Sequence, residues 1–274
     1  MMLLAGCASS LPAKNIPPSF VLQPVQETEI SRYVRAHQPP DSDELSGFTL
    51  VHTGTDALAA RLAMIDRAEA SLDLQYYIYR GDVTGGLIAE RLLSAADRGV
   101  RVRLLLDDIG SALRDFDVAT LDHHPNIHVK LFNPLTLRGR ISRYFSKLGE
   151  FGRINYRMHN KLMIVDGQLF ITGGRNIGDE YFSLSTMDFQ DIDIIGMGHI
   201  TREVTRSFDD YWNANEAVPV SHMVRRPGPR AEQRLRGQLR AHRLRHQGSA
   251  YLQAVEESPF NRALRDDRID WHWG

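Results

Sequence analysis

The chain of 274 residues contains a single cysteine, Cys7, so it forms no internal disulfide and has no set of thiols for a zinc site. It lacks an excess of charge of either sign. The 33 Lys and Arg stand against 34 Asp and Glu, which removes the global electrostatic case for a nucleic-acid binder and confines any basic surface to a local patch. The long apolar runs of a polytopic membrane protein are also missing, and 42% hydrophobic with 24% charged residues excludes a disordered or collagen-like chain. What is there suffices for one large domain or two small ones.

Leu4-Ala5-Gly6-Cys7-Ala8 resembles a bacterial lipobox. In that reading Cys7 is the lipidation site, and acyl chains at about 0.8 kcal/mol per buried methylene hold the protein on a membrane of the cell envelope. Only six residues precede Cys7 and none is basic, which departs from a full secretory leader. Residues 1–45 carry Pro12, Pro17, Pro18, Pro24, Pro39 and Pro40 and read as a tether, with a short helix near Glu29 to Ala36.

Residues 46–220 alternate in period. Asp56 to Ala68 places Leu58, Leu62 and Ile65 on one helical face, and Ser71 to Tyr79 alternates as a strand does. Thr84 to Arg98 is a second helix, and Val100 to Leu106 and Ile127 to Phe132 are strands, the former opening onto Asp107-Asp108. Later come a strand over Asp191 to Ile195 and an amphipathic helix over Thr201 to Trp212. This rhythm predicts a layered α/β domain with a largely buried sheet and ligand chemistry at one end of its strands. Arg138, Arg140, Arg143, Lys147, Arg153 and Arg157 stand among aromatics, as a solvated loop or as a lid that meets anionic headgroups. Residues 221–274 read as an Arg-rich helical linker or the start of a second half, with Leu235, Leu239 and Leu244 as a thin apolar stripe.

The chemistry concentrates between Met158 and Asn176. Asp166-Gly167 between Leu162–Val165 and Leu169–Thr172 is a two-residue hairpin signal, which pairs Val165 with Gln168, Lys161 with Thr172 and His159 with Gly174. His159 and Lys161, two apart, share a strand face, and Gly173, Gly174 and Asn176 return beside them. An imidazole, an ammonium, an amide and a glycine-lined backbone are the parts a phosphodiester needs: a nucleophile, a fixed positive charge and unobstructed donors. Lys161 supplies that charge, so neither metal nor cofactor is called for. Asp166, at the turn, suits fixing the loop better than moving protons. His128-Val129-Lys130 has no such context and reads as surface.

His159, Lys161 and Asp166, followed by Gly173-Gly174-Arg175-Asn176, resemble the HxKxxxxD and GSxN motifs of the phospholipase D superfamily, with Gly174 in place of the serine. The flanks Leu74-Gln75-Tyr76-Tyr77-Ile78-Tyr79, Asn176-Ile177-Gly178-Asp179-Glu180-Tyr181-Phe182 and Phe208-Asp209-Asp210-Tyr211-Trp212 look like its bacterial cardiolipin synthase branch, of the C type. The resemblance covers about Leu50 to Val220. It implies an α/β fold with a mixed, mostly parallel sheet flanked by helices on both faces. It also implies His159, Lys161 and Asp166 as the catalytic motif, Gly173, Gly174, Asn176 and Glu180 against the substrate, and Asp179 or Glu180 orienting a histidine.

In that family the first histidine forms a phosphohistidine and a histidine from a second motif protonates the leaving alcohol. No second HxKxxxxD occurs here, so the chain holds half of the implied site. The other half would come from an identical chain, from another protein, or from a C-terminal half lost with the reading frame. The implied function is phosphatidyl transfer between membrane phospholipids. The alternatives are a homodimeric single-motif nuclease, which the near-neutral charge disfavours, and an inactive truncated remnant.

Overall fold

The structure, a computed structural model, describes residues 16–22, 27–111, 115–135, 156–224 and 227–274. It opens with α1 (Glu29–His37), where Thr28 and Ser31 hydroxyls each accept the other's backbone N–H in a capping box. There follow β1 (Ser46–Val51), α2 (Gly54–Arg67), β2 (Ser71–Tyr76), α3 (Val83–Asp97), β3 (Arg101–Asp107), α4 (Asp115–Leu121) and β4 (Ile127–Phe132). The second part holds β5 (Lys161–Val165), β6 (Leu169–Gly173), β7 (Asp193–Gly198), α5 (Thr201–Asn213) and β8 (Ala217–Pro219). It ends with α6 (Pro229–His246), α7 (Ala250–Glu256), α8 (Pro259–Arg265) and β9 (His272–Trp273).

The strands form one sheet in the order β8-β4-β3-β2-β5-β6-β7-β1-β9. The layered α/β class with a mixed sheet is as the sequence implied, but the balance of directions is the reverse. Only β2 with β3 and β3 with β4 pair in parallel, because only those pairs are joined by helical crossovers, through α3 and α4. Every other pairing is antiparallel, starting with the β5–β6 hairpin. β2 is buried at all six positions, so the polar residues that alternate along it, Asp73 and Gln75, are inside as well.

The two faces are covered unequally. On one, α1 to α4 and α6 to α8 close over Leu58, Ile65, Leu72, Leu74 and Leu104. On the other, α5 brings Phe208 and Trp212 against Leu105, Leu162, Ile164 and Phe170, with Val21 beside them. Arg103 is fully buried there, bonded to Asp73 and to Asp209 at 2.8 Å, with its guanidinium 4.7 Å from the centre of the Phe208 ring. Lys130 turns under α5 and donates to the Trp212 carbonyl at 2.8 Å, which corrects the surface reading of that residue.

The N-terminal tether is also corrected in part. Residues 16–22 dock on α5: Ser19 exchanges hydrogen bonds with the Asn213 amide, Arg103 donates to the Ser19 carbonyl, and Val21 N–H donates to Asp209. The predicted short helix is α1, one residue longer than expected. Cys7 and residues 136–155, which include most of the basic segment, lie outside the described residues. Of that segment, Arg157 pairs with Asp107 at 3.2 Å. At the other end of the chain, α6 packs along α3 and β9 pairs with β1, so residues 229–273 are integrated into the same body. Among the described residues, no helix is long and apolar enough to cross a membrane.

Candidate active site

The hairpin that carries the motif turns where expected but in a different register. Asp166 and Gly167 both take positive φ, 51° and 64°, and Gln168 N–H donates to the Val165 carbonyl at 3.0 Å, which is a type I′ turn. Gln168 then bulges, its carbonyl accepting the Thr201 hydroxyl, so Val165 pairs with Leu169 and Leu162 with Thr172. The expected partners of Lys161 and His159 are displaced by one residue. Asp166 is fully buried, and its carboxylate accepts the backbone N–H of Glu69, Ala70 and Ser71 at 2.8–3.3 Å. The catalytic label that the motif attaches to Asp166 therefore gives way to a structural one: it clamps the turn to the start of β2.

His159 and Lys161 sit at the opposite end of β5, beside the carboxyl ends of the parallel strands. Asp107, at the end of β3, accepts the N–H of Met158 at 3.2 Å and holds Arg157, which fixes the backbone entering His159. The exposed His159 ring stacks on Tyr77, centroids 4.1 Å apart and 22° from parallel. The Lys161 ammonium lies 5.6 Å from the centre of the same Tyr77 ring and donates to the His159 carbonyl at 2.7 Å. One aromatic platform thus carries the imidazole and the amine, on a surface open to solvent.

Gly173 and Gly174 let the β6 end approach its neighbour. A Cβ on Gly173 would lie 2.3 Å from an Asp193 oxygen, and one on Gly174 would lie 2.0 Å from both oxygens of Asp191. The place of the family's serine is thus taken by a carboxylate next to Lys161. Burial pulls the Lys161 ammonium below the ordinary lysine value, and the nearby Asp191 partly offsets this. Phosphate held by Lys161 should therefore be released at a pH below the usual lysine value of about 10.4. Asp191→Asn removes the offset, so this alkaline limb should move to still lower pH in a titration of inorganic phosphate binding above neutrality. An unmoved limb would detach Asp191 from the site.

Asn176 is buried and its amide oxygen accepts Ile78 N–H at 3.0 Å, tying the glycine loop to the chain beyond β2 and leaving only the Nδ2 hydrogens to offer a phosphate. Arg175 is a second clamp, donating to the carbonyls of His52 at 2.6 Å and Tyr181 at 3.2 Å. Behind it Arg61 and Asp193, both buried, pair at 2.8 Å. Among the described residues Asp179 hydrogen-bonds no histidine: it accepts the N–H of Thr84 at 2.8 Å and so caps α3 together with Asp82. Glu180 pairs with Arg80. Burial raises the Asp82 carboxyl above its ordinary value, against the backbone N–H groups of Asp179 and Gly85 that donate to it. Among the described residues no group of three His, Cys, Asp or Glu side chains is placed to hold a metal ion.

Tyr77 and Asp191 are the site residues that the sequence reading missed. The doublet Tyr76-Tyr77 was visible, but which ring faces the imidazole depends on strand parity at the very end of β2. Asp191, two before Asp193, carried no signal of its own.

The model of the cardiolipin synthase, PLD-like domain family matches residues 62–212, more than half of the chain. An uncharacterized protein of Helicobacter pylori strain J99 is 42% identical over 218 residues, covering 79% of this chain and 42% of that one. Cardiolipin synthase C of Escherichia coli K12 is 39% identical over 221 residues, covering 80% of this chain and 46% of that one. The chain thus spans less than half the length of these relatives. Phosphatidylserine synthase of Haemophilus influenzae shares the fold, with a TM-score of 0.50 at 15% identity over 78% of this chain and 48% of that structure.

Proposed function

Because this chain belongs to the cardiolipin synthase, PLD-like domain family, we propose that it is one catalytic half of a phosphatidyltransferase acting on membrane phospholipids. A ring nitrogen of His159 attacks the phosphorus of a phospholipid phosphodiester. The phosphorus–oxygen bond to the leaving alcohol breaks, and the alkoxide takes a proton from a second imidazole. An acceptor alcohol then gives its proton to that imidazole and attacks the phosphorus, and the phosphorus–nitrogen bond breaks to free His159. Lys161 and the Asn176 amide hydrogens hold the phosphoryl oxygens throughout.

The second imidazole comes from a partner half, either an identical chain or a segment like the length that the longer relatives have beyond the matched part. Because the two rings must carry opposite protonation at one pH, their titrations are coupled. The observation that supports this reading most directly is the shared Tyr77 platform, which keeps the exposed imidazole and the half-buried ammonium side by side. Acylation of Cys7 would keep the enzyme at the cell envelope beside its substrates.

Incubation of the full chain with radiolabelled phosphatidylglycerol tests the proposal. The expected result is a phosphatidyl adduct on His159, found by mass spectrometry, and transfer of the label to an added alcohol. Absence of adduct and product, together with salt-sensitive cleavage of nucleic acid, would select the nuclease alternative.

A further inference from the structure

Helix α6 is two-sided in charge. Its inner side presents Leu235 and Leu239 to the core, and its acid and the acids of the neighbouring helices are used there. Arg236 pairs with Asp97 at 2.7 Å and with Glu232 at 2.8 Å, Arg243 pairs with Glu90 at 3.1 Å, and His242 contacts the Val83 carbonyl at 3.0 Å. The outer side carries Arg230, Arg234, Arg240 and Arg245, all exposed and without an ion pair among the described residues. At 100° per residue these fall within less than half a turn of the helix, and no acid lies between them. Gln233, Gln238, Gly237 and Ala241 fill the intervals, and Leu244, 54% exposed, is the apolar residue of that face.

We propose that this outer face of α6 docks on an anionic phospholipid surface. From Arg230 to Arg245 the strip is about 22 Å long at 1.5 Å per residue, so it lies flat on a bilayer. A chain of net charge -1 that collects unpaired arginines on one helix presents a field that is local and of one sign. The small residues at the centre let the guanidinium groups reach headgroup phosphates at a common depth, and Leu244 favours a surface with an apolar layer beneath it over a purely polar polyanion. The inference goes beyond the reaction at His159 and does not depend on it.

The test is co-sedimentation of the full chain carrying Cys7→Ser, which removes any acyl anchor, with phosphatidylglycerol–phosphatidylcholine vesicles and with phosphatidylcholine vesicles. Binding should require phosphatidylglycerol and weaken as salt rises. Each arginine near an anionic surface is worth about fivefold in partition, so Arg234→Gln with Arg245→Gln should cost about 25-fold, and all four substitutions several hundredfold. The double variant decides the matter if the fourfold one fails to fold by circular dichroism. A control set with the same charge change elsewhere, Arg202→Gln, Arg206→Gln, Arg262→Gln and Arg268→Gln, should bind like the parent.

Equal binding by parent and strip variants overturns the proposal, as does equal loss in the control set. So does loss of duplex DNA retention with vesicle binding intact, which would assign the face to nucleic acid. A change of mass in light scattering without vesicle binding would assign it to contact between copies and overturn the proposal too.

Discussion

His159→Ala is expected to lower phosphatidyl transfer by about 10^5-fold or more, the scale seen when a nucleophile that acts as part of a unit is removed. The same substitution should leave the fold nearly untouched. The ring is exposed and among the described residues its aromatic contact is Tyr77, so its removal forfeits a stacking interaction of about 1 kcal/mol and uncovers no described core. Activity and stability therefore part company at this position. Labelled-product assays and denaturant midpoints on the same preparations would show it. Turnover close to that of the parent would remove His159 from the nucleophile's role, and with it the phosphohistidine route.

Asp166→Ala should show the opposite division. Its carboxylate is the acceptor for backbone N–H groups of three successive residues, Glu69, Ala70 and Ser71, and it is fully buried. Each buried donor left without an acceptor costs about 1–3 kcal/mol, so a total loss of at least about 3 kcal/mol is expected from the three. That is a large fraction of the 5–15 kcal/mol (about) that holds a typical domain together. β5 separates this clamp from His159 by about 17 Å, its five residues at about 3.4 Å each. What remains folded should therefore still bind inorganic phosphate at Lys161. Urea unfolding combined with a phosphate titration at low temperature distinguishes the outcomes: unchanged stability with lost binding would return Asp166 to the chemistry.

The motif residues were legible as candidates because residue type and spacing single them out. An imidazole and an amine two apart share a strand face whatever surrounds them, and Asp166-Gly167 takes the left-handed turn because both residues tolerate positive φ. The register beyond that turn was not legible. Whether Gln168 pairs or bulges depends on the Thr201 hydroxyl of α5, which is remote in sequence. Glu180 and Asp179 show the same limit. Acids beside a glycine-rich loop look available to a substrate until Arg80 and the N-terminus of α3 arrive to use them.

Local pattern by itself determined most of the helices and strands of residues 46–220, though not β1, α4 or β8, together with the layered class and the choice of His159 and Lys161 as the candidate pair, since these depend on periodicity and on the chemistry of single side chains. Tertiary structure alone decided the direction of most strand pairs, the docking of residues 16–22 on α5, the stacking of His159 on Tyr77 and the placing of Asp191 where the family carries a hydroxyl. Each of those is a meeting of segments far apart along the chain. Such meetings are set by which surfaces bury one another, and no run of neighbouring residues encodes that.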